Sequence, residues 1–323
     1  MPSQPKPFQF LVDAREIVSG PVLAERARRA EALGYHELVV PDHLIPQLGP
    51  IAAMAWIAAA TSRIRIGAFV HNNDLRHPAV LAQELASLDV LSEGRLDVAI
   101  GAGWNKPEYD QIGLSFDPTP VRQARLIEAI AVLKGAFGPS PFSFGGEVYR
   151  ITDLDGQPKP VQQPHPPFLI GGGGRKTVEL AAREAQIVGL APRILPGDRT
   201  DPRSVTVAGT AEKIEWVRQA APERFDDLVF NVYPTMTGVS VTNHARSEAK
   251  DVVAAVAKRS GVELTVDELL ESPHTFIGSI DELEQKLIRV REQLGISSFM
   301  VGVMGSAEEA GQLDPLVERL AGR

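Results

Sequence analysis

The sequence predicts an α/β protein of the (β/α)8 TIM barrel type, with insertions at the C-terminal face of the barrel. Short β-rich runs alternate with helical patterns along nearly the whole chain, which indicates parallel β/α units with right-handed crossovers. Eight such strands can be counted, the number that closes a barrel. A doubly wound sheet would carry a dinucleotide fingerprint after its first strand, where this chain has Val12-Asp13-Ala14-Arg15-Glu16. We expect a single domain spanning residues 1–323.

The first half of the chain contains four strand and helix pairs. In the first helix, Leu23, Ala27 and Ala30 share one face, and Gly34 follows its end. The other helices are assigned in the same way from apolar spacing and from terminal glycine or proline. The predicted strands are Phe8 to Val12, Glu37 to Val40, Arg63 to Val70 and Arg95 to Ile100, and the predicted helices are Pro21 to Leu33, Ile51 to Thr61, Val80 to Leu91 and Thr119 to Phe137.

The second half is less regular. A proline-rich excursion over about residues 139–166 contains a predicted hairpin, Phe142 to Tyr149, and a Pro/Arg/Asp-rich loop over about residues 191–205 is predicted to be mobile. Ser279 and Glu282 form a capping box at the start of a helix that Gly295 ends. The remaining predicted elements are strands Pro167 to Ile170, Gln186 to Leu190, Leu228 to Tyr233 and Ile296 to Val303, and a helix Thr177 to Ala185.

Composition excludes several classes of function. The chain has 323 residues, a net charge of −8 and no long basic run, so nucleic acid is not an expected partner. The absence of cysteine excludes disulfides, thiolate nucleophiles and zinc-thiolate sites. No stretch approaches the roughly 18 apolar residues of a membrane span, and the N-terminus lacks an apolar signal region. We expect a cytoplasmic protein with a small-molecule substrate, no membrane contact and no metal site.

A run of four glycines follows the predicted fifth strand. Gly171 to Gly174 and then Arg175 lead directly into a helical segment, so the free N–H groups of the helix N-terminus face a turn without side chains. Such a turn suits a phosphate. It can also exist only for tight packing, and Arg175 can be a simple surface residue. An arginine at the N-terminus opposes the helix dipole, which favours an anionic partner there.

The residues after each predicted strand are the candidates for an active site, because barrel active sites lie at the carboxyl ends of the strands. None of these ends supplies the lysine of a Schiff-base aldolase or the paired histidines of an amidohydrolase. Asp13, Asp42 and Glu108 are the obvious carboxylates, and none belongs to a paired motif. The other residues after the predicted strands are glycines, asparagines, histidines and a tryptophan. This set suits the binding of a flat, polar cofactor that performs the chemistry itself.

Five segments, in matching order from about Phe8 to Val303, resemble the bacterial luciferase-like superfamily. The closest likeness is to its deazaflavin (coenzyme F420)-dependent oxidoreductases. The segments are Val39-Val40-Pro41-Asp42-His43, Ile66-Gly67-Ala68-Phe69-Val70, Arg76-His77-Pro78-Ala79, Leu91 to Asn105, and Phe168 to Gly174. The resemblance implies a luciferase-like barrel with a flavin or deazaflavin over its mouth, and usually a homodimer.

The resemblance also implies roles for individual residues. Asp42 and His43 match a pair at the ring and the substrate pocket, and Phe69-Val70 matches a bond often held as a cis peptide against the ring. Asn72 matches a contact to the ring edge. Gly103 and Asn105 match the loop that borders the ring, and Gly172, Gly173, Gly174 and Arg175 match the phosphate turn. Asp13, His71 and Trp104 are expected around the substrate.

Physical chemistry, independently of the resemblance, suggests roles for several of these residues. A strand-end Asp42 beside His43 can fix the tautomer of the imidazole, which makes His43 a plausible proton partner to a hydride step. His43 can also be a structural, hydrogen-bonded histidine, and His71 and Asn72 can serve only the loop backbone. Trp104 can be core or pocket wall. His77, before Pro78, is expected to start a helix.

These observations lead to one main hypothesis and two alternatives. The main one is hydride transfer between the C5 position of a deazaflavin and a small organic substrate, with His43 assisting. The first alternative is an FMN-dependent monooxygenase that uses oxygen, and the second is a phosphate-binding isomerase or a flavin-binding barrel without catalysis. Family members that oxidise a sugar phosphate carry a tryptophan and a glutamate where this chain has Gln47 and, approximately, Trp104. A sugar-phosphate substrate is therefore not expected.

Overall fold

The computed structural model describes residues 5–195, 199–235, 239–302 and 311–323. The strands are β1 (Gln9–Asp13), β2 (Glu37–Val40), β3 (Arg65–Ala68), β4 (His71–Asn72), β5 (Leu96–Gly101), β6 (Phe142–Gly145), β7 (Arg150–Leu154), β8 (Phe168–Gly172), β9 (Ile187–Leu190), β10 (Arg193–Leu195), β11 (Arg199–Asp201), β12 (Val229–Val232), β13 (Val239–Val241), β14 (Phe276–Gly278) and β15 (Ile296–Met300). The helices are α1 (Gly20–Leu33), α2 (Pro50–Ala60), α3 (Pro78–Leu91), α4 (Lys106–Ile112), α5 (Thr119–Phe137), α6 (Arg175–Glu184), α7 (Val207–Ala220), α8 (Ala245–Ser260), α9 (Val266–Glu271), α10 (Ile280–Leu294) and α11 (Asp314–Leu320).

The main sheet is a closed parallel barrel. Its strands hydrogen bond in the order β3, β2, β1, β15, β12, β9, β8, β5 and β4, and β3 also pairs with β5. Both β3 and β4 run parallel to β5, so they are two parts of one interrupted strand. The ring therefore has eight members, and the predicted (β/α)8 barrel is confirmed.

The chain divides into two compact units. The first comprises Met1–Asp13, Ala30–Glu37 and Leu169–Arg323. Its core includes the packed rings of Phe8, Phe10 and Phe299, whose centroids lie 6.1–6.2 Å apart. The second comprises Ala14–Arg29 and Leu38–Phe168. In that unit α3 and α5 pack together through buried aliphatic side chains at helical spacing, which include Leu81, Leu85, Leu88, Leu126, Ile130 and Leu133.

The insertions follow strands, as the fold prediction requires. Helix α4 follows β5, the antiparallel pair β10 and β11 follows β9, and β13, α8 and α9 come between β12 and β14. The pair β10 and β11 lies in the segment predicted to be mobile. Residues 196–198 of this segment lie outside the described residues, and its mobility stays a prediction. Val303, the predicted end of the last strand, also lies outside the described residues.

The proline-rich excursion contains the hairpin β6 and β7, which packs on α5. The second strand, β7, begins at Arg150, one residue beyond the predicted hairpin, which ends at Tyr149. The reason is Glu128, whose carboxylate accepts hydrogen bonds from the backbone N–H groups of residues 147–149 at 2.8–3.0 Å. Those residues therefore form the turn, and the strand starts beyond them.

Helix ends follow the local sequence signals. His77 is the N-cap of α3, where its ring accepts a hydrogen bond from the N–H of Ala79 at 3.2 Å, as predicted. The capping box of Ser279 and Glu282 starts α10, and Gly295 ends it in the left-handed conformation with φ 69°. In the described part of the chain, no helix has the length and apolar character needed to cross a bilayer.

Candidate active site

The carboxyl end of β2 places Asp42 and His43 one after the other in the second unit. Strand β2 is buried along its length, and Pro41 ends it. Asp42 is buried, whereas the side chain of His43 keeps 15% of its surface exposed. The two neighbours consequently have different surroundings and different partners.

The partner of His43 is Glu108, on the short helix α4. Nδ1 of His43 lies 2.7 Å from Oε1 of Glu108, whose side chain is only 2% exposed. The other oxygen of Glu108 accepts a hydrogen bond from the N–H of Leu44. As a carboxylate, Glu108 only accepts hydrogen bonds, so Nδ1 of His43 carries the hydrogen and donates it to Oε1. Nε2 of His43 is then left with a lone pair that can take a proton.

An indole lies against the same imidazole. The rings of His43 and Trp104 meet edge to face, with centroids 5.4 Å apart and an interplanar angle of 80°. Trp104 is 65% exposed, so it is an accessible wall of this region, and the reading of Trp104 as a core residue is wrong. The accessible indole, beside an imidazole that is itself mostly covered, offers a surface on which a flat ring can stack.

Asp42 forms a buried polar centre of its own. Oδ2 accepts hydrogen bonds from Nη1 of Arg76 at 2.7 Å and from the N–H of Asn72 at 3.1 Å, and it lies 3.5 Å from Nδ1 of His71. Burial raises the pKa of Asp42, but His71 and Arg76 more than offset it, so the pKa lies below its ordinary value. The expectation that Asp42 sets the tautomer of His43 is wrong, because Glu108 makes that contact.

The amide of Asn72 is used within the protein. Its Oδ1 accepts from the N–H of Asp74 and the hydroxyl of Tyr109, both at 3.1 Å, and the Tyr109 hydroxyl also lies 3.0 Å from Asp74. Burial raises the pKa of Tyr109 to about 12, so its hydroxyl keeps its proton. These hydrogen bonds support the interpretation that Asn72 orders the loop. The contact of Asn72 with a cofactor ring stays a prediction.

Gly103 is required by that network. Its φ is 75°, and a Cβ added there would lie 1.9 Å from the Tyr109 hydroxyl and 2.6 Å from Oδ1 of Asn72. The carbonyl groups of Gly103 and Ala102 also accept hydrogen bonds from Arg122. Asn105, the other predicted residue of this loop, is the N-cap position of α4.

The bond between Phe69 and Val70 is a cis peptide, as in the motif that the chain resembles. It separates β3 from β4, and a Cβ added at Gly101 on β5 would lie 2.9 Å from Val70. His71 follows it and is fully buried, and neither of its ring nitrogens has a hydrogen-bond partner in the described residues. Its contact with Asp42 is therefore an electrostatic one.

The glycine turn belongs to the first unit. Gly172 and Gly173 are held by close packing, since an added Cβ would lie 2.5 Å from Thr177 and 1.9 Å from the carbonyl oxygen of Pro192, respectively. Gly174 is different. It is the N-cap of α6, no side chain caps this helix, and an added Cβ would meet no atom within 4 Å. Gly174 therefore borders open space at an uncapped helix N-terminus.

Arg175 is the first residue of α6 and already has partners. Its Nε lies 2.7 Å from Glu179, its Nη2 3.3 Å from Gln219, and its guanidinium 6.0 Å from the ring of Trp216. These contacts support the reading of Arg175 as a surface residue of the helix. Asp13, predicted near the substrate, ends β1 in the same unit.

The structure thus brings together six of the predicted residues in the second unit and adds others that the sequence did not single out for this role. The six are Asp42, His43, His71, Asn72, Gly103 and Trp104. Glu108 is the most important addition. The sequence offered a signal for it, since Pro107 just inside and Gly113 just beyond α4 are helix-end signals. The remaining additions are Arg76, Tyr109, Asp74 and Arg122.

The model of the family described as luciferase-like monooxygenase matches residues 19–282. The chain belongs to this family. Two curated relatives of similar sequence differ in the cofactor that their names give. The F420-dependent glucose-6-phosphate dehydrogenase of Kineococcus radiotolerans is 33% identical over 178 residues, which are 53% of this chain and 52% of the relative. The FMNH2-dependent dimethylsulfone monooxygenase of Pseudomonas putida is 35% identical over 127 residues, 39% of this chain and 35% of the relative.

Each match thus spans about half or less of the curated relative. Solved structures of luciferase-like fold cover far more of the chain. The monooxygenase RslO1 of Streptomyces bottropensis has a TM-score of 0.74 at 21% identity, with 97% of this chain and 98% of that chain covered. The coenzyme F420-dependent tetrahydromethanopterin reductase of Methanopyrus kandleri has a TM-score of 0.75 at 17% identity, with the same coverage. These likenesses establish the barrel fold.

Proposed function

We propose that this luciferase-like protein is an oxidoreductase that uses a deazaflavin of the coenzyme F420 type and a small organic substrate. The observation that carries the proposal is the pair of His43 and Glu108 at the end of β2, beside the accessible ring of Trp104. The pair presents one imidazole nitrogen able to accept a proton, next to a surface suited to a planar ring. Similarity to the F420-dependent dehydrogenase supports the choice of cofactor.

The residues present fit such a cofactor. Trp104 offers an exposed ring face, Gly101 leaves room for the side chain of Val70, and Gly174 borders open space at an uncapped helix N-terminus. When bound, a deazaflavin supplies the acceptor or donor of a hydride. We propose that the second unit holds the ring near Trp104 and the Phe69-Val70 bond. We propose independently that, in the first unit, the N–H groups at the start of α6 bind a phosphate.

The protein itself contributes proton transfer and orientation. Nε2 of His43 accepts a proton from a substrate hydroxyl as that group is oxidised, or returns it in the reverse direction. Glu108 holds Nδ1–H and stabilises the charged imidazolium that results. Asp42, with Arg76 and the N–H of Asn72, fixes the loops on either side of His43.

Gln47 replaces the tryptophan of sugar-phosphate oxidising members and donates to the carbonyl of Pro41 at 2.6 Å. Glucose 6-phosphate is therefore not the proposed substrate.

FMN-dependent monooxygenation is the second candidate, which the similarity to the dimethylsulfone monooxygenase favours. The two candidates are separated by titrating the purified protein with the deazaflavin and with FMN, each oxidised and reduced, and following fluorescence. We expect micromolar affinity for the deazaflavin and at least tenfold weaker binding of FMN, which corresponds to about 1.4 kcal/mol. The reverse order would select the FMN-dependent function. Binding of neither would overturn both proposals.

We also propose that the protein is a cytoplasmic homodimer. Helix α2 carries no charged residue, yet Ala52, Trp56 and Ala59 are exposed on it, and Trp56 keeps half of its surface exposed. Helix α3 packs beside it and exposes Val80. An uncharged helical face of this kind is typical of a surface that a second subunit covers.

A further inference from the structure

Two buried side chains at neighbouring strand ends of the first unit are not used by the proposed redox chemistry. Strands β9 and β12 are adjacent and parallel, with Val229 opposite Ile187 and Asn231 opposite Gly189. In this register the residues that follow the two strands, Ala191 and Tyr233, leave the sheet side by side. The carboxyl ends of barrel strands are the place where ligands bind.

The first side chain is Lys213, which reaches one of these ends from α7. It is fully buried, and Nζ donates to the carbonyl oxygen of Ala191 at 2.5 Å. An ammonium group has three donors, and within the described residues this is its only hydrogen bond, with no ion pair within 4 Å. Burial, followed by the charge of Arg193, lowers the pKa of Lys213 to about 8, so the ammonium form predominates at neutral pH. Two of its N–H donors therefore lack an acceptor.

The second side chain is His274, which lies at the other strand end just before β14. Nδ1 is 3.0 Å from the carbonyl oxygen of Tyr233, and because a carbonyl only accepts, Nδ1 carries the hydrogen. Nε2 is thus a bare acceptor, and it has no partner in the described part of the chain. Burial, reinforced by the charge of Lys213, lowers the pKa of His274 to about 3, so the ring stays neutral.

The chemistry of the missing partner follows from these two groups. It must accept a hydrogen bond from an ammonium and donate one to a neutral imidazole. A hydroxyl oxygen does both, whereas a carboxylate or a phosphate dianion cannot donate to Nε2. The remaining N–H of Lys213 then suits an anionic oxygen close to that hydroxyl. A hydroxyl next to a carboxylate, as in an α-hydroxy acid, satisfies all three positions.

Hydroxyl groups nearby also lack partners. Thr210 precedes Lys213 by one turn of α7, and Thr235 donates its backbone N–H to the carbonyl of His274 at 3.0 Å. The side-chain oxygens of both threonines are buried without a hydrogen bond in the described residues. Groups of this kind are normally satisfied, so their concentration here indicates a ligand or ordered water.

We propose that Lys213 and His274 form a binding site for a hydroxy acid, in which the hydroxyl bridges the ammonium and Nε2 and the carboxylate takes the remaining ammonium proton. This site is distinct from the residues to which the proposed redox function is assigned. It requires no cofactor, so it can be tested independently of that function.

The test is a titration of the protein with glycolate, and with acetate as the analogue that lacks the hydroxyl, observed by ¹⁵N NMR of the histidine side chains. We expect glycolate to shift the Nε2 signal of His274 saturably and to bind at least tenfold more tightly than acetate. An Nε2 signal that glycolate does not move would show that the site holds buried water only and would overturn the proposal.

Two variants test the individual groups. His274→Asn keeps a donor for the Tyr233 carbonyl and removes Nε2, and Lys213→Met removes the ammonium and keeps the stem. Each should weaken glycolate at least tenfold. The control is Lys250→Met, the same substitution at an exposed site on α8. It should leave glycolate binding within twofold. Wild-type affinity in both test variants would overturn the proposal, and the wild-type NMR result stands even if one variant fails to fold.

Discussion

His43 depends on Glu108 for the position of its proton, because the contact with Glu108 determines which ring nitrogen carries the hydrogen. Both oxygens of Glu108 accept hydrogen bonds, from Nδ1 of His43 and from the N–H of Leu44. The tautomer of His43 is therefore set by a carboxylate 65 residues away in the sequence. A residue that acts in this way orients the proton acceptor without contacting the substrate itself.

The substitution Glu108→Gln should invert that tautomer. The amide oxygen will take the N–H of Leu44, and the amide N–H₂ group then faces Nδ1 as a donor, which moves the imidazole hydrogen to Nε2. We expect the ¹⁵N shifts of His43 to report this exchange and turnover to fall about 10²- to 10⁴-fold. Glu25→Gln, at an exposed site on α1, is the control and should change neither. An unchanged His43 tautomer in the folded Glu108→Gln protein would contradict the assignment.

Asp42 should contribute to stability in a pH-dependent way. Its pKa in the folded protein lies below the ordinary 3.8, mainly because His71 and Arg76 offset the effect of burial. A depressed carboxyl pKa stabilises the fold above the unfolded pKa, and the contribution is lost as pH falls through the folded value. We therefore expect Asp42→Asn to reduce the free energy of unfolding by about 1.5–3 kcal/mol at pH 7.

This destabilisation should stay constant down to about pH 5 and shrink only below about pH 4, where the wild-type carboxyl becomes protonated. Urea unfolding of both proteins across this range measures it. A destabilisation that is equal at pH 7 and at pH 3 would show that Asp42 acts by packing rather than by charge.

At the scale of a single element, the start of α6 shows that four consecutive glycines have different roles. Gly173 cannot take a side chain because of the carbonyl of Pro192, whereas Gly174 has open space and a φ of −92° that any residue adopts. A carboxylate at Gly173 would therefore disturb packing as well as charge. Gly174 is the better position at which to test the anion site.

Gly174→Asp should repel a phosphate at the N-terminus of α6 while capping the helix. Aspartate is a favourable N-cap, so we expect the free energy of unfolding to stay equal or rise by up to about 1 kcal/mol. Affinity for the deazaflavin should fall at least tenfold relative to Gly174→Asn, which caps the helix without the charge. Equal cofactor affinity of the Asp and Asn variants would remove this turn from the cofactor site.

At the scale of the whole molecule, the exposed face of α2 leads to a prediction about assembly. Ala52→Glu places a charge on the face that the proposed dimer covers, and burial of an unpaired charge costs several kcal/mol. We expect the variant to be a monomer by analytical ultracentrifugation where the wild type is a dimer. Ala255→Glu, at an exposed site on α8, makes the same change elsewhere and should remain dimeric. A wild type that sediments as a monomer would refute the proposed dimer directly.

The barrel could be predicted from the sequence, because the alternation of strands and helices, the helix ends at Gly34 and Gly295, and the capping box at Ser279 are local patterns. The sequence also placed His43 at a strand end. That Glu108, and not the adjacent Asp42, is the partner of His43 became clear from the folded chain alone. Neighbours in the chain after a strand point in different directions, whereas a residue on a following helix can fold back, and this geometry has no local signature.

Long-range packing also explains the different roles of the four glycines and of two buried side chains, Lys213 and His274. The local sequence does not distinguish Gly173, which packs against Pro192, from Gly174, which borders open space. The difference arises because Pro192 belongs to the loop after β9, which is distant from the glycines in sequence. Lys213 and His274 likewise gain their roles from two neighbouring strand ends that are distant in sequence. Local periodicity specifies which elements form, and long-range packing specifies which side chains meet.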